Sequence, residues 1–280
     1  MDTLTTQSLK LNPLNDYLFY KVMGEKGDEG QLLAFLNAVL KRSGPERLVS
    51  VTIMENRTLT ADVIGGKTGI LDVRAELQDG TLVNIELQVD NEGNMDKRSL
   101  FYWSRLYAKG IGEGEDYIEL PKVIAINIVN YHFPKSPQYH TCFHLWEDRE
   151  KGLLLTDALE IHYINMVEWR KQEKDMPGDP LHRWLAWLDK KKRPELAAEA
   201  VNMDSGIAAA QARLEELLDD EDFMRLYELR EKTRYDWTSG INHARREGIK
   251  EVASKMKAMG EAAEKIQAFT GLSVNEIEKL

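Results

Sequence analysis

Residues 70–90, ILDVRAELQDGTLVNIELQVD, constrain this chain more than any other stretch. Two runs of alternating apolar and polar residues flank Asp79-Gly80, a pattern that predicts a β-hairpin. The register of the hairpin decides which residues share a face, because a slip of one residue carries the whole apolar set across the sheet. A two-residue type I′ loop would set Val73 against Glu86 and Leu71 against Gln88, mixing apolar with polar partners. A three-residue loop, Gln78-Asp79-Gly80, with Gly80 in the left-handed position of a G1 bulge, pairs Leu77 with Thr81, Ala75 with Val83, Val73 with Ile85 and Leu71 with Leu87. That loop makes the apolar face continuous and is the one expected. On the other face it sets Asp72 directly opposite Glu86, with Cβ atoms about 5 Å apart, and Gln88 follows two residues along.

Two like charges facing each other across a ladder repel, so something must offset them. One reading is a divalent cation, since carboxylates and water suit the oxygen-only preference of Mg²⁺. The other is a solvated polar face on which Arg74 or another base pairs with the acids. Geometry alone leaves both open.

Around the hairpin, apolar periodicity predicts a short helix near 14–23 and a longer one near 28–42, striped by Leu32, Leu33, Phe35, Leu36, Val39 and Leu40 and stopped by Ser43-Gly44-Pro45. RLVSVTIMENRTLT reads as a strand before the hairpin, NMDKRSLFYWSRLYAKGIGEG as a helix after it, and LPKVIAINIVNY as a buried strand. The order helix, three strands, helix, strand implies an α/β core, a mixed sheet flanked by helices. A further hairpin around Lys151-Gly152 extends it, and KQEKDMPGDP then leads into a helical C-terminal region. The boundaries expected are 1–170 for the sheet domain, 171–258 for the helical region and 259–280 for a short tail.

The net charge of −10 argues against a protein that coats nucleic acid nonspecifically, since that needs many Lys and Arg on phosphates; it does not argue against a nuclease. No run of about eighteen apolar residues occurs, and MDTLTTQSLK lacks the layout of a signal peptide, so a cytoplasmic location is expected. Cys142, the lone cysteine, reads as a small buried hydrophobe in a strand rather than a nucleophile. His140 and His144 share a strand face with no third ligand in view and read as ordinary sheet residues rather than a zinc pair. The run Lys190-Lys191-Lys192-Arg193 is a candidate phosphate contact, but reads more readily as a solvated helix terminus.

In NDYLFYKVMG, LDVRAELQDGTLVNIELQVDN, KRSLFYWSRLYAKG and LPKVIAINIVNY, taken in order, the chain resembles the PD-(D/E)XK nucleases, and within them the recombination-promoting nuclease and putative transposase group. The similarity spans roughly residues 12–165. It implies a restriction-endonuclease-like fold and Mg²⁺-dependent hydrolysis of DNA phosphodiester bonds, with Mn²⁺ as a substitute cation. Asp72 and Glu86 fall where that family's metal-binding acids lie, and Gln88 falls at the superfamily's lysine position. A lysine acts as a cation, whereas a glutamine can only hydrogen-bond, so catalysis would lean more on the metal. Asp16, on a first helix from which related nucleases send an acid toward the metal, is a further candidate; it also reads as a capping residue beside Asn15. Arg98 and Tyr102, four apart on one helix face, are candidates to approach a phosphate, or else a surface cation and a partly buried aromatic.

In the tail, Ser273 with Glu276 forms a capping box after the Thr270-Gly271-Leu272 turn. The helix-turn-helix outline ends in NEIEKL, too acidic for a recognition helix, so packing or self-association is expected there. The leading expectation is a cytoplasmic, transposase-associated DNA endonuclease, for which cutting both strands of a duplex would favour a homodimer with two sites; the alternative is a noncatalytic DNA-binding or assembly protein that keeps the fold.

Overall fold

The computed structural model of the protein describes residues 8–54, 72–150 and 152–280. Helices α1 (Asp16–Met23) and α2 (Glu29–Val39) precede strand β1 (Val51–Ile53). The hairpin follows as β2 (Val73–Leu77) and β3 (Leu82–Gln88), then α3 (Met95–Lys109), β4 (Val123–Val129), β5 (His140–Trp146) and β6 (Leu154–Asn165). The strands form one sheet in the order β1-β2-β3-β4-β6-β5. β1, β2 and β3 run antiparallel, β4 and β6 add on in parallel, and β5 folds back antiparallel onto β6 at the edge. This is the mixed sheet flanked by helices of a restriction-endonuclease-like fold.

The apolar faces set the layers. Val73, Ala75, Val83, Ile85 and alternate β4 residues Ile124, Ile126 and Ile128 bury one face beneath α1 and α2. The opposite face, with Ala125, Val129, Ile161 and Tyr163, packs against Met95 of α3. A buried polar chain ties α3 down: Tyr163 Oη donates to Ser99 Oγ at 2.9 Å, Ser99 Oγ lies 3.0 Å from Asn127 Oδ1, and Asn127 Nδ2 donates to the His162 carbonyl at 3.1 Å.

The hairpin adopts the three-residue loop. Val73 pairs with Ile85 and Ala75 with Val83. The Leu77 N–H donates to the Thr81 carbonyl at 2.9 Å, and Gly80 has φ of 80°. Leu71, part of the same expected register, lies outside the described residues, as do residues 55–60 of the first predicted strand.

After β6 come α4 (Met166–Lys171), α5 (Pro180–Leu188), α6 (Pro194–Met203), α7 (Ser205–Leu217) and the 38-residue α8 (Glu221–Ala258). Trp184, Leu185, Leu214 and Phe223 join the core of α1 and α2, with Phe35 edge-on to Trp184 at 5.5 Å and Tyr17 stacked on Phe223 at 5.4 Å. The tail helices, α9 (Ala263–Thr270) and α10 (Val274–Glu278), turn at left-handed Gly271 and carry the expected capping box. Ile266, Leu272 and Ile277 close a small core on Ala253 of α8, which is packing of the expected kind.

Three local expectations are corrected. α2 stops at Val39, before Ser43-Gly44-Pro45, because Lys41 takes a left-handed φ of 53° and the chain leaves the helix there. Cys142 lies in a strand as expected but is exposed, since β5 is the sheet edge; burial of its sulfur and nearby Glu160 push the thiol up to about 12, so it is no thiolate nucleophile. Lys190 is no solvated terminus: it is fully buried, with Nζ 3.5 Å from Gln211 Oε1, while Lys191 and Lys192 remain exposed.

Two stability measurements test this fold. Apart from its two chain neighbours, no atom of the described residues lies within 4 Å of a Cβ built on Gly80, so the cost of substitution there comes from the positive φ. Gly80→Val is expected to lower unfolding free energy by ~1–3 kcal/mol, as read by urea denaturation. Burial pushes the Lys190 ammonium down to about 7 from 10.5, with Glu215 opposing. The unfolded chain therefore binds the extra proton between those values, and stability gained from losing it rises with pH across that window. Lys190→Met is expected to be more stable than the wild type below pH 7, with the gap closing toward pH 10.5 in pH-dependent denaturation.

Candidate active site

The hairpin register extends from Val73–Ile85 to set Asp72 opposite Glu86, on the sheet face that α3 covers. Both are dry, at 3% and 4% exposed. Each has its own arginine. Arg74 donates to Asp72 Oδ2 through Nη2 at 2.8 Å and Nε at 3.0 Å. Arg98, reaching across from α3, donates to Glu86 Oε1 at 2.6 Å and approaches Glu92 at 3.4 Å. The repulsion across the ladder is thus offset within the protein, as the arginine reading held, but on a buried face rather than a wet one.

The pairing is incomplete. Glu86 Oε2 is buried and has no hydrogen-bond partner among the described residues. Burial pushes the Glu86 carboxyl up to about 6, against the pull of Arg98 and with added repulsion from Asp72. A desolvated carboxylate oxygen without a donor is costly, and is the kind of atom a cation or a proton would satisfy.

The acids open into a cleft whose wall continues along β3 through Gln88 to Asp90. Gln88 Nε2 donates to the Asp90 carbonyl at 3.1 Å. Burial raises the Asp90 carboxyl, opposed by Arg234. Asp16 also lines the cleft and accepts from Arg230 at 2.5 and 3.0 Å. Capping of α1 falls to Asn15, whose Oδ1 accepts from the Leu18 N–H at 3.0 Å, so Asp16 is left to face the cleft. Arg98 is part of the lining; Tyr102 sits beside it, its ring centroid 5.6 Å from the guanidinium, and is not.

The far wall belongs to α8, which contributes Arg230, Thr233, Arg234 and Trp237. Sequence reasoning missed these residues, because more than a hundred positions separate them from the hairpin. A signal does exist: their spacing of 3, 4 and 7 places two cations, a hydroxyl and an indole on one helix face. The lining includes the carboxylates of Asp16, Asp72, Glu86 and Asp90 and the amide of Gln88, oxygen donors that suit a hard divalent cation, and Glu86 Oε2 has no hydrogen-bond partner among the described residues.

A family model described as PD-(D/E)XK nuclease family transposase matches residues 13–244, which take in α1, the hairpin, α3 and the cleft-lining part of α8. No curated protein and no solved structure matches the chain. With a match over most of its length, and with the hairpin acids placed on the sheet as described, the chain belongs to the PD-(D/E)XK nuclease family of transposases.

Proposed function

We propose that this protein is a metal-dependent DNA endonuclease, with Asp72 and Glu86 as the residues that hold Mg²⁺, or Mn²⁺ in its place. The observation that carries this reading is the buried Asp72–Glu86 pair with its unpartnered Glu86 oxygen, opening into a cleft lined by Arg98, Arg230 and Arg234. When bound, the cation would neutralise charge developing on the phosphodiester and lower the pKa of an attacking water.

The chain's own residues supply the rest. Arg74 holds the Asp72 carboxylate in place, and Arg98 does the same for Glu86, so neither acid has to be ordered at the moment of reaction. Gln88 commits one amide hydrogen to the Asp90 carbonyl and keeps a second to donate to a phosphate oxygen; it positions but cannot supply positive charge. Positive charge comes instead from Arg98 and from Arg230 and Arg234 across the cleft. Asp16, tied to Arg230, sets the approach of α8 to the sheet end and stands within the cleft as a further carboxylate. Tyr102 supports Arg98 through its ring face. No helix among the described residues is long and apolar enough to cross a membrane, which accords with action on DNA in the cytoplasm. Cutting both strands of a duplex would bring two such clefts together in a twofold dimer.

Plasmid cleavage with Mg²⁺ or Mn²⁺ tests this proposal. Asp72→Asn and Glu86→Gln are each expected to lose more than the ~10–100-fold typical of changing a residue that merely supports a metal ligand. Wild-type protein that binds DNA but leaves it intact with both cations would instead favour a noncatalytic DNA-binding or assembly role. For the α8 wall, Arg234→Ala is expected to weaken duplex binding about equally across sequences and to reduce the slope of log K against log[salt] by about 1. An unchanged slope in fluorescence anisotropy titrations would take α8 out of the DNA path.

A further inference from the structure

On the opposite face of the sheet from Asp72 and Glu86, the edge hairpin gathers a different set of donors. β5 turns His140, Cys142 and His144 to one side, and β6 turns Glu160 and His162 to meet them, with Cys142 directly opposite His162. Cys142 Sγ lies 3.3 Å from His144 Nε2 and 3.6 Å from His162 Nε2, and His162 Nε2 lies 2.6 Å from Glu160 Oε1. The ligand atoms of Cys142, Glu160 and His162 all fall within 4.8 Å of one another, the sole such triad of His, Cys, Asp and Glu among the described residues. His140 and His144, read from sequence as ordinary sheet residues for want of a third ligand, thus have neighbours that only the pairing of β5 with β6 brings.

We infer that Cys142, His162 and Glu160 form a binding site for a zinc-class divalent cation, separate from the cleft of Asp72 and Glu86, with His144 beside the sulfur. Bond lengths of about 2.3 Å to sulfur and 2.0–2.1 Å to nitrogen put sulfur and nitrogen about 3.5 Å apart on the edge of a coordination tetrahedron. Both observed S···N separations lie close to that length. The His162–Glu160 distance is that of a hydrogen bond and opens by less than 1 Å when the proton between them gives way to the cation. Binding releases the Cys142 thiol proton to solvent and shifts the His162 proton from Nε2 to Nδ1, where it faces His140 Nε2, and no electron is transferred.

The surroundings are those of a metal site. His162 Nδ1 lies 2.9 Å from His140 Nε2, which fixes the ring and leaves Nε2 pointing at the sulfur. Lys122 Nζ takes Glu160 Oε2 at 2.5 Å, leaving Oε1 for the cation. His144 Nδ1 is buried without a hydrogen-bond partner among the described residues. The pairing register breaks just after Phe143, a bulge that re-aims the strand at His144. Soft sulfur and imidazole donors select a cation of the zinc class, whereas the carboxylate oxygens of the cleft suit Mg²⁺, so the two sites need not compete. A cation held here would pin the exposed edge strand β5 to β6.

The test is titration of chelator-treated full-length protein with Co²⁺, followed by Zn²⁺. The expected result is a thiolate-to-cobalt charge-transfer band that saturates at about one equivalent, collapses on adding zinc, persists in Asp72→Asn and vanishes in Cys142→Ser. Because Cys142 is exposed, serine there is expected to fold, which circular dichroism would check. His140→Ala is expected to keep the band and weaken affinity ~10–100-fold. Absence of the band in the wild type, or its persistence in Cys142→Ser, would overturn the site.

Discussion

The pairing of Val73 with Ile85 is the contact on which the rest of the molecule depends. It is held by apolar burial beneath α1 and α2 and by a turn that only a left-handed residue closes at Gly80. With that register, apolar side chains fill one face and Asp72, Arg74, Asn84, Glu86 and Gln88 fall on the other. With a register one residue away, the same chain would send its acids into the apolar layer. The placement of the candidate active site is therefore a by-product of burying Val73, Ala75, Leu77, Val83, Ile85 and Leu87 on one face.

Burial of two carboxylates in a half-apolar layer is tolerable because the protein carries matching guanidinium groups, one from the strand itself and one from α3. Removing one member of such a pair strands the other, so the four residues stand or fall together. The network is nonetheless one donor short at Glu86 Oε2. The two acids and two arginines balance in formal charge, so what the site lacks is a hydrogen-bond donor at that oxygen.

Much of this was legible from the chain alone. Alternation around Asp79-Gly80 sufficed for the loop, the register and the face shared by Asp72, Glu86 and Gln88, since strand periodicity of two is unforgiving. The continuous apolar run of β4 marked a strand buried on both sides. What stayed hidden depends on long-range packing. Arg74 was readable as a partner of the acids and Arg98 as a site candidate, but the reach of Arg98 to Glu86 follows only from the packing of α3 on the sheet. The α8 wall reaches the cleft through the stacking of Phe223 on Tyr17 of α1 and the pairing of Arg230 with Asp16, and no local pattern announces that docking. Lys190 looks solvated in a basic run because its burial is decided by the side chains of α7 beneath it, Gln211 among them. Cys142, His144, Glu160 and His162 are scattered across two strands whose pairing carries a bulge, so spacing rules for metal ligands could not see them.

The continuity of α8 has a mechanical consequence. A single helix runs from the cleft wall at Arg230–Trp237 to the seat of the tail at Ala253. At 1.5 Å per residue, Arg234 and Ala253 are held about 28 Å apart along a stiff rod, most of one turn of duplex DNA. Tail and cleft thus share one ruler: α9 and α10 are held at a fixed stand-off from the candidate site, and it can be reset only by bending or breaking the helix.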